Sequence, residues 1–304
     1  MKYFKPLIPF VGGWIVLLFT QSFGLLPLIN GLTQMLLFGL VVCWPIYKTN
    51  RLSYVDIGWP WGLFCIGVLT LIFSTGYSYR VWAIGGVYVF IGLRMGMGAI
   101  QLWRKGHLQK ELPRYRYQQI RWERAGKTNT QLAMQVDALA QGTANASFLA
   151  LPAFIIGSNP DPNISVWEII GLVIWVLSFI METIADNQKL AFLKEMKAKG
   201  LKNQVCNVGL WQYSRHPNYF AEWMVWNGML IASIPSWLAL KETESLPMWI
   251  ILGLGLIFVS RIMYMTLVYF TGAKPSEYYS LKKRPDYKAY TESVNMFFPG
   301  IPRK

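Results

Sequence analysis

Residues 166–185 read VWEIIGLVIWVLSFIMETIA, an apolar run with two acidic side chains and no basic one. An α-helix needs about 20 predominantly apolar residues to cross the hydrocarbon core of a bilayer. This run has that length, and it leads directly into the polar sequence that begins at Asp186. It therefore predicts a membrane-spanning helix with a polar end.

The chain carries eight such apolar segments, at residues 7–26, 31–47, 57–75, 81–102, 132–157, 166–185, 219–237 and 247–271. The first is long enough to span and lacks a small-residue cleavage site after it, which predicts a membrane segment and no cleaved signal peptide. The fifth is the least apolar, because its first half contains Gln135, Asp137 and Gln141. The pattern predicts an all-α, polytopic integral membrane bundle of about eight transmembrane helices.

The composition agrees with a membrane protein. Only 14% of the 304 residues are charged and 54% are hydrophobic, whereas about a quarter of a soluble domain is charged. The net charge is +14, but the basic residues form short blocks between apolar runs. Membrane lipid headgroups and an anionic cofactor explain these blocks better than nucleic acid does. The three cysteines have no metal-binding or disulfide spacing, so no metal site is predicted.

Lysine and arginine predict the orientation, because they collect on the cytoplasmic side of membrane proteins. With eight helices, the N-terminus and every second loop share one side, which holds 25 of the 29 basic residues. The opposite loops hold only Arg80 and Lys241. We therefore expect both termini in the cytoplasm, in a bacterial inner membrane or the endoplasmic reticulum of a eukaryote.

We expect a single membrane domain over residues 1–304, with N-terminal helices in residues 1–80 and a core in residues 81–304. The cytoplasmic parts are then the loops 103–130 and 186–218 and the tail 272–304. They are too short for a separate soluble domain. An active site facing the cytoplasm must be built from them and from the cytoplasmic halves of the helices.

Three polar blocks carry candidate chemistry. Glu182, Asp186 and Lys189 lie on one helix face at the end of the sixth segment, where acids near hydrocarbon need partners. The stretch GLWQYSRHPNYFAE at residues 209–222 offers Arg215, whose planar fork suits phosphate, beside His216. The tail 277–290 combines Tyr, Lys and Arg, which can hold a nucleotide or anchor the chain at the membrane interface.

With these residues in view, the chain resembles the membrane superfamily of steroid 5α-reductases, sterol reductases and isoprenylcysteine carboxyl methyltransferases, and within it the bacterial 5α-reductase-like (UstE-like) branch. The resemblance rests on the three blocks and on Glu111-Leu-Pro-Arg114-Tyr115, and it spans about residues 90–302. In the reductases these blocks cradle NADPH. The cofactor-binding residues implied here are Asp186, Lys189, Lys194, Tyr213, Arg215, His216, Asn218, Tyr219, Glu222, Glu277, Tyr287 and Tyr290.

The family's substrate-binding and catalytic residues have less clear counterparts in this chain. The Gln-Glu pair of steroid 5α-reductases has no clear match, and the acid that sterol reductases carry before the tail Glu is Ser276 here. If Arg94 is the family's intramembrane Arg, the catalytic Tyr position falls near Ile91, one turn from Tyr88. Tyr88 and Asp56 are our candidates for the catalytic acid.

Two enzyme classes fit these observations. One is an NADPH-dependent reductase of a C=C bond in a lipophilic, steroid-, isoprenoid- or lipid-like substrate. The other is an S-adenosylmethionine-dependent membrane methyltransferase, because both classes carry versions of the Arg-His-Pro-Asn-Tyr block. A non-catalytic lipid-binding protein is a third possibility, which predicts that neither cofactor binds. The sequence leaves the substrate and the oligomeric state open.

Overall fold

The structure is a computed structural model that describes residues 2–303. Its described residues form helices and no strand, which confirms the all-α class. The helices are α1 (Ile8–Leu18), α2 (Leu26–Leu37), α3 (Trp44–Thr49), α4 (Val55–Phe73), α5 (Ser78–Arg104), α6 (Pro113–Arg124), α7 (Thr130–Ala146), α8 (Leu151–Gly157), α9 (Val166–Ala198), α10 (Pro217–Ala239), α11 (Leu246–Met265), α12 (Ala273–Lys283) and α13 (Tyr287–Ser293).

Within the described residues, seven helical stretches are long and apolar enough to cross a membrane. They confirm a multi-pass membrane protein. Several combine neighbouring helices: a π-helical turn at Phe38–Cys43 joins α2 to α3, and another at Thr266–Phe270 follows α11. The stretches are Leu26–Thr49, Leu52–Phe73, Ser78–Arg104, Thr130–Gly157, Val166–Ala198, Pro217–Glu242 and Leu246–Lys283.

The first predicted segment is the exception, since α1 has only 11 residues. A 3-10 turn at Gln21–Phe23 follows it, and Gly24 has φ of +52°, a conformation that favours glycine. Pro27 then lies in the first turn of α2, where its missing N–H costs nothing. The regular helix therefore covers only part of the predicted segment 7–26, and Gly24 and Pro27 belong to the turn into α2.

The described chain divides into two compact units. Unit 1 comprises residues 1–168 and 232–259, and unit 2 comprises residues 169–231 and 260–304. Unit 1 therefore contains α1 to α8, and unit 2 contains most of α9 and all of α12 and α13.

Contacts in unit 1 show where the two ends of the first segment lie. The Tyr3 hydroxyl accepts a hydrogen bond from the backbone N–H of Asn129 at 3.0 Å, just before α7. Ser22 donates to the Glu244 carboxylate at 2.7 Å, in the turn between α10 and α11. The N-terminal end of the segment is thus beside the start of α7.

The far end of α8 lies near that same α10–α11 turn, because Asn159 donates to Ser236 at 3.0 Å. Since α7 and α8 run from one end of unit 1 to the other, residues 3–22 run the length of the unit. The first segment therefore runs along unit 1, but its only regular α-helix, Ile8–Leu18, is too short to count among the seven spanning helices.

The fifth segment, expected to be the weakest, is the most enclosed. In Thr130–Gly157, 83% of the residues in an apolar 18-residue stretch are buried. The corresponding share in Val166–Ala198 is 17%. Its polar side chains find partners on neighbouring helices: Gln135 donates to the Cys43 carbonyl at 2.9 Å, and Asn145 to the Trp59 carbonyl at 3.2 Å. Polar groups are tolerated in this helix because protein, and not lipid, surrounds it.

Helices α4 and α5 pack closely through glycine. A Cβ on Gly67 would lie 2.6 Å from the backbone nitrogen of Val89, and a Cβ on Gly92 would overlap the backbone nitrogen of Phe64. Small residues at a membrane helix interface allow two backbones to approach, which increases van der Waals contact where lipid gives no hydrophobic advantage.

In unit 2, an aromatic cluster fixes the C-terminal tail. The Phe297 ring lies 5.2 Å from the Tyr264 ring of α11 and 5.9 Å from the Trp223 ring of α10, both edge-on. Aromatic pairs prefer this geometry, in which a positive edge meets a negative face. The end of the chain is thereby held against the helices of its own unit.

Candidate functional site

A cavity of about 250 Å³ lies within unit 2, among the three polar blocks that the sequence singled out. It is lined by residues from α9, the 205–219 segment and the C-terminal helices. They are Lys189, Val205, Cys206, Trp211, Arg215, His216, Asn218, Tyr219, Ser276, Ser280, Arg284, Tyr287 and Tyr290.

The segment before α10 is positioned by α9. Gly209 has φ of +55°, and a Cβ there would overlap the side chain of Gln188. Gln188 accepts a hydrogen bond from the backbone N–H of Leu210 at 2.9 Å, and Trp211 donates its indole N–H to the Ala185 carbonyl at 2.9 Å. Glycine is required here because the turn needs a left-handed backbone and close contact with α9.

Arg215 joins this segment to the C-terminal helices. Its Nε lies 2.6 Å from Oε1 of Glu277 and its Nη2 lies 3.1 Å from Oε2, so the pair is bidentate. Nη1 donates to the carbonyls of Thr291 and Val294. Arg215 is buried, and four of its five N–H groups have partners. Its guanidinium is therefore largely occupied by the protein itself, although the residue lines the cavity.

His216 contacts the same carboxylate, at the oxygen that also binds Nε of Arg215. Its Nε2 is 3.2 Å from Oε1 of Glu277, and its ring stacks on Tyr219 with 5.3 Å between centroids. Burial lowers the pKa of His216 below its ordinary value of 6.5, and the hydrogen bond to Glu277 opposes this shift. We infer that the imidazole is neutral near pH 7 and donates to the carboxylate.

Two cations face the cavity without an acidic neighbour in its lining. Lys189 comes from α9, where its Nζ lies 4.3 Å from the centre of the Trp211 ring. Arg284 follows α12 and donates from Nη1 to Ser280 at 2.7 Å. Among the described residues that line the cavity there is no Asp or Glu. The arrangement favours an anionic ligand, since guanidinium and ammonium groups bind phosphate and carboxylate.

Two buried polar atoms on the cavity residues lack a partner within residues 2–303. They are the side-chain oxygen of Asn218 and Nε of Arg284. The amide nitrogen of Asn218 is already used, because it donates to Asp186 at 3.0 Å. One unmatched acceptor and one unmatched donor fit a ligand that offers both kinds of group, such as a phosphorylated ribose.

Three further titratable side chains of the lining are held in their uncharged form by burial. Burial raises the pKa of the Cys206 thiol and the pKa values of the Tyr287 and Tyr290 hydroxyls. Tyr290 also donates to the Trp211 carbonyl. They therefore contribute hydrogen-bonding groups and apolar surface, and the charge of the cavity is set by its cations.

The predicted cofactor residues fall into three groups. Those that line the cavity are Lys189, Arg215, His216, Asn218, Tyr219, Tyr287 and Tyr290. Asp186 and Glu277 do not line the cavity but contact residues that do, Asn218 and Arg215 respectively. The other three lie outside the lining: Lys194 and Tyr213 are exposed, and Glu222 is half-buried in α10.

Sequence reasoning did not select Ser280 or Arg284, and it noted Ser276 only as a departure from the family pattern. Their spacing was a usable signal. Residues 276, 280 and 284 follow one another at intervals of four, which places them on one face of a helix. Cys206 and Trp211 carried no comparable signal, because their place in the cavity depends on the turn before α10.

The two candidate catalytic acids belong to unit 1 and both have partners. Tyr88 is buried in α5 and donates its hydroxyl to the Leu149 carbonyl at 2.6 Å. Asp56, in the first turn of α4, pairs with Arg114 and accepts from the Tyr115 hydroxyl. Their role as acids remains a prediction.

The block Glu111-Leu-Pro-Arg114-Tyr115 holds the start of α4. Glu111 accepts from the backbone N–H groups of Leu52 and Ser53 at 2.7 and 3.0 Å, while Arg114 and Tyr115 bind Asp56. A carboxylate at a helix N-terminus satisfies otherwise unpaired N–H groups. In unit 1 this block therefore stabilises the N-terminal end of α4.

Comparison with known proteins gives a family without an assigned activity. The family model described as a protein of unknown function (DUF1295) matches residues 43–294, which include every residue of the cavity lining. An uncharacterised protein of Schizosaccharomyces pombe is 24% identical over 297 residues, which cover 90% of this chain and 80% of that protein. No solved structure matches significantly. The chain thus belongs to the DUF1295 family.

Proposed function

We propose that this protein is an integral membrane oxidoreductase that uses NADPH to reduce a C=C bond of a lipophilic substrate. The observation that carries the proposal is the basic cavity of unit 2, in which Lys189 and Arg284 face a polar space with no acidic lining residue. The association of the family with steroid 5α-reductase-like proteins supports the reaction class, and we extend it to the UstE-like branch.

The residues present fit the phosphate-bearing part of such a cofactor. Lys189 and Arg284 would hold a phosphate, and the unpaired Asn218 oxygen would accept from a ribose hydroxyl. NADPH supplies a hydride when it is bound. The stacked rings of His216 and Tyr219 offer a flat wall beside these polar groups.

The charge of the cavity argues against the methyltransferase alternative. S-adenosylmethionine carries a sulfonium and an ammonium group against one carboxylate, so its net charge is positive. Two cations in a partly enclosed space would repel it, whereas they attract the phosphates of a dinucleotide.

We further propose that the cavity faces the cytoplasm, where NADPH is available. The support is the distribution of lysine and arginine, from which we expect the loop 186–218 and the tail 272–304 on the cytoplasmic side. A substrate dissolved in the bilayer would then approach from the helices, and the cofactor from water.

Paired binding measurements test the proposal. The purified full-length protein in detergent is titrated with NADPH, NADH and S-adenosylmethionine, with calorimetry as the readout. We expect NADPH to bind at least about tenfold more tightly than NADH, because a charge-assisted bond to the 2′-phosphate contributes about 1.5–3 kcal/mol. Tighter binding of S-adenosylmethionine than of NADPH would refute the reductase proposal and favour the methyltransferase. Binding of neither would favour the lipid-binding protein.

A further inference from the structure

A second basic cavity lies in unit 1, apart from the residues used above. Its volume is about 360 Å³, and it is bounded by the residues just before α4 and the end of α5. Three cations line it: Arg51 from one side, and Arg104 and Lys105 from the other. Tyr54 and Trp103 provide aromatic walls.

The geometry brings these cations together from separate parts of the chain. Arg51 donates from Nη1 to the Leu108 carbonyl at 2.6 Å, which fixes its guanidinium at the edge of the cavity. Gly106 turns the chain after α5 with φ of +76°, so that the segment after Lys105 folds back toward Arg51. The cavity is therefore shaped by backbone contacts and is not merely a row of surface charges.

The three cations have no acidic partner in the cavity lining. The residues that line the cavity in the described chain include no Asp or Glu, and none of the three forms an ion pair there. Like charges held close together repel one another and lower stability. A bound anion would remove this cost, so the site suits a ligand with concentrated negative charge.

The surroundings of the cavity indicate where this anion comes from. Arg104 and Lys105 end the membrane-spanning helix α5, and the neighbouring Leu102 and Trp103 are 49% and 52% exposed. Exposed Trp and Leu next to basic residues are typical of the level of the lipid headgroups. The charge distribution predicts that this end of the bundle faces the cytoplasm, where anionic lipids are found.

We propose that this cavity binds the phosphate group of an anionic phospholipid. Arg51, Arg104 and Lys105 contact the phosphate, Gln109 and Tyr54 can bind the polar part of the headgroup, and the acyl chains lie along the exposed apolar surface beside Leu102. The site is distinct from the cofactor cavity and does not depend on the proposed reductase activity.

The test uses the full-length protein in detergent with short-chain dioctanoyl phosphatidylglycerol as the probe and thermal unfolding as the readout. The variant Arg104→Gln/Lys105→Gln removes two exposed cations without disturbing the Arg51–Leu108 bond. The matched control, Arg116→Gln/Arg124→Gln, removes two exposed cations of α6 that do not line the cavity. Unfolding without lipid checks that both variants fold.

We expect the lipid to stabilise the parent and the control, and the cavity variant to need about tenfold more lipid for the same shift. Dioctanoyl phosphatidylcholine, which has no net charge, should stabilise neither the parent nor the control. Equal weakening in the control would mean that general surface charge attracts the lipid, and the proposal would fail. It would also fail if no stabilisation occurred, or if inorganic phosphate at the same concentration stabilised as well as the lipid.

Discussion

Arg215 and Glu277 form a bidentate ion pair between residues 62 positions apart in the chain, with N–O distances of 2.6 and 3.1 Å. The side chains are only 9% and 12% exposed. The pair joins the segment before α10 to α12, and His216 binds the same carboxylate. Both walls of the unit 2 cavity therefore depend on one largely buried carboxylate.

Replacing Arg215 with Ala should destabilise the protein strongly. The change leaves the Glu277 carboxylate, which is only 12% exposed, without its cation, and breaking such a largely buried pair costs about 3–5 kcal/mol. Chemical denaturation of the purified protein in detergent measures the loss. Lys199→Ala is the control, because its pair with Glu195 is more than half exposed and its removal should cost about 0.5 kcal/mol or less. If the Arg215 variant were as stable as the parent, the structural role of the pair would be refuted.

Replacing Lys189 with Met or Arg284 with Gln should weaken NADPH binding about 10- to 150-fold, because each change removes a charged contact to phosphate. Stability should change little, since neither residue has a buried acidic partner among the described residues. Lys194→Met is the matched control, because Lys194 is exposed and lies outside the cavity lining. If the Lys194 variant weakened binding as much as the other two, the cofactor would lie elsewhere on this surface.

His216 predicts a loss of stability in mild acid. Burial lowers its pKa in the folded protein, so below its ordinary value of 6.5 the unfolded chain binds more protons than the folded one. Stability is therefore complete above about pH 6.5 and falls as the pH decreases toward the folded pKa. The cations Arg215 and Lys189 also disfavour protonation, while Glu277 opposes them.

Denaturation of the parent and a His216→Gln variant between about pH 7.5 and about pH 5.5 measures this effect. The variant should show a shallower dependence on pH over that range. His107→Gln is the control, because His107 is exposed and should leave the dependence unchanged. A parent whose stability rose on acidification would contradict a neutral His216.

Two glycines of α5 give a matched test of helix packing. Gly92→Ala should destabilise by about 1–3 kcal/mol, because its Cβ would overlap the backbone of Phe64, which cannot move aside as a side chain can. Gly86→Ala meets nothing within 4 Å and should be neutral or stabilising by about 0.5–1 kcal/mol. Thermal unfolding of the two variants side by side provides the measurement, and equal effects would argue against close packing of α4 on α5.

Tyr88→Phe and Asp56→Asn separate a catalytic from a structural role. From their contacts we expect each change to lower stability by about 1 kcal/mol, through loss of the bond to Leu149 or of the contacts with Arg114 and Tyr115. NADPH affinity should be unchanged. Turnover is measured in parallel by NADPH oxidation with an enone substrate. Loss of turnover at full stability would identify the residue as the acid.

The helices could be predicted because each apolar run has the length that a bilayer imposes. The turn into α2 could also have been predicted, since Gly24 and Pro27 are visible in the sequence. The enclosure of α7 could not, because the polar residues of its first half carry no information about which helices will surround them. Only the fold shows that Gln135 and Asn145 have partners on neighbouring helices.

The candidate site divides in the same way. The blocks themselves and most of the lining residues follow from the sequence, because polar residues beside membrane helices are costly unless they have a role. The roles within the block do not follow. The sequence suggests Arg215 as a phosphate ligand, but in the structure Glu277 pairs with its guanidinium. Arg284 has no distinguishing signal in the sequence, but in the structure it lines the cavity.

The enclosed polar helix α7 has a consequence for how the chain enters the membrane during synthesis. Taken by itself, a helix with Gln135, Asp137 and Gln141 in one half is poorly suited to partition from the translocon into lipid. Its hydrogen-bond partners Cys43 and Trp59 precede it in the sequence and are therefore synthesised first. We therefore expect α7 to enter the membrane together with helices synthesised before it, and not as an independently inserting segment.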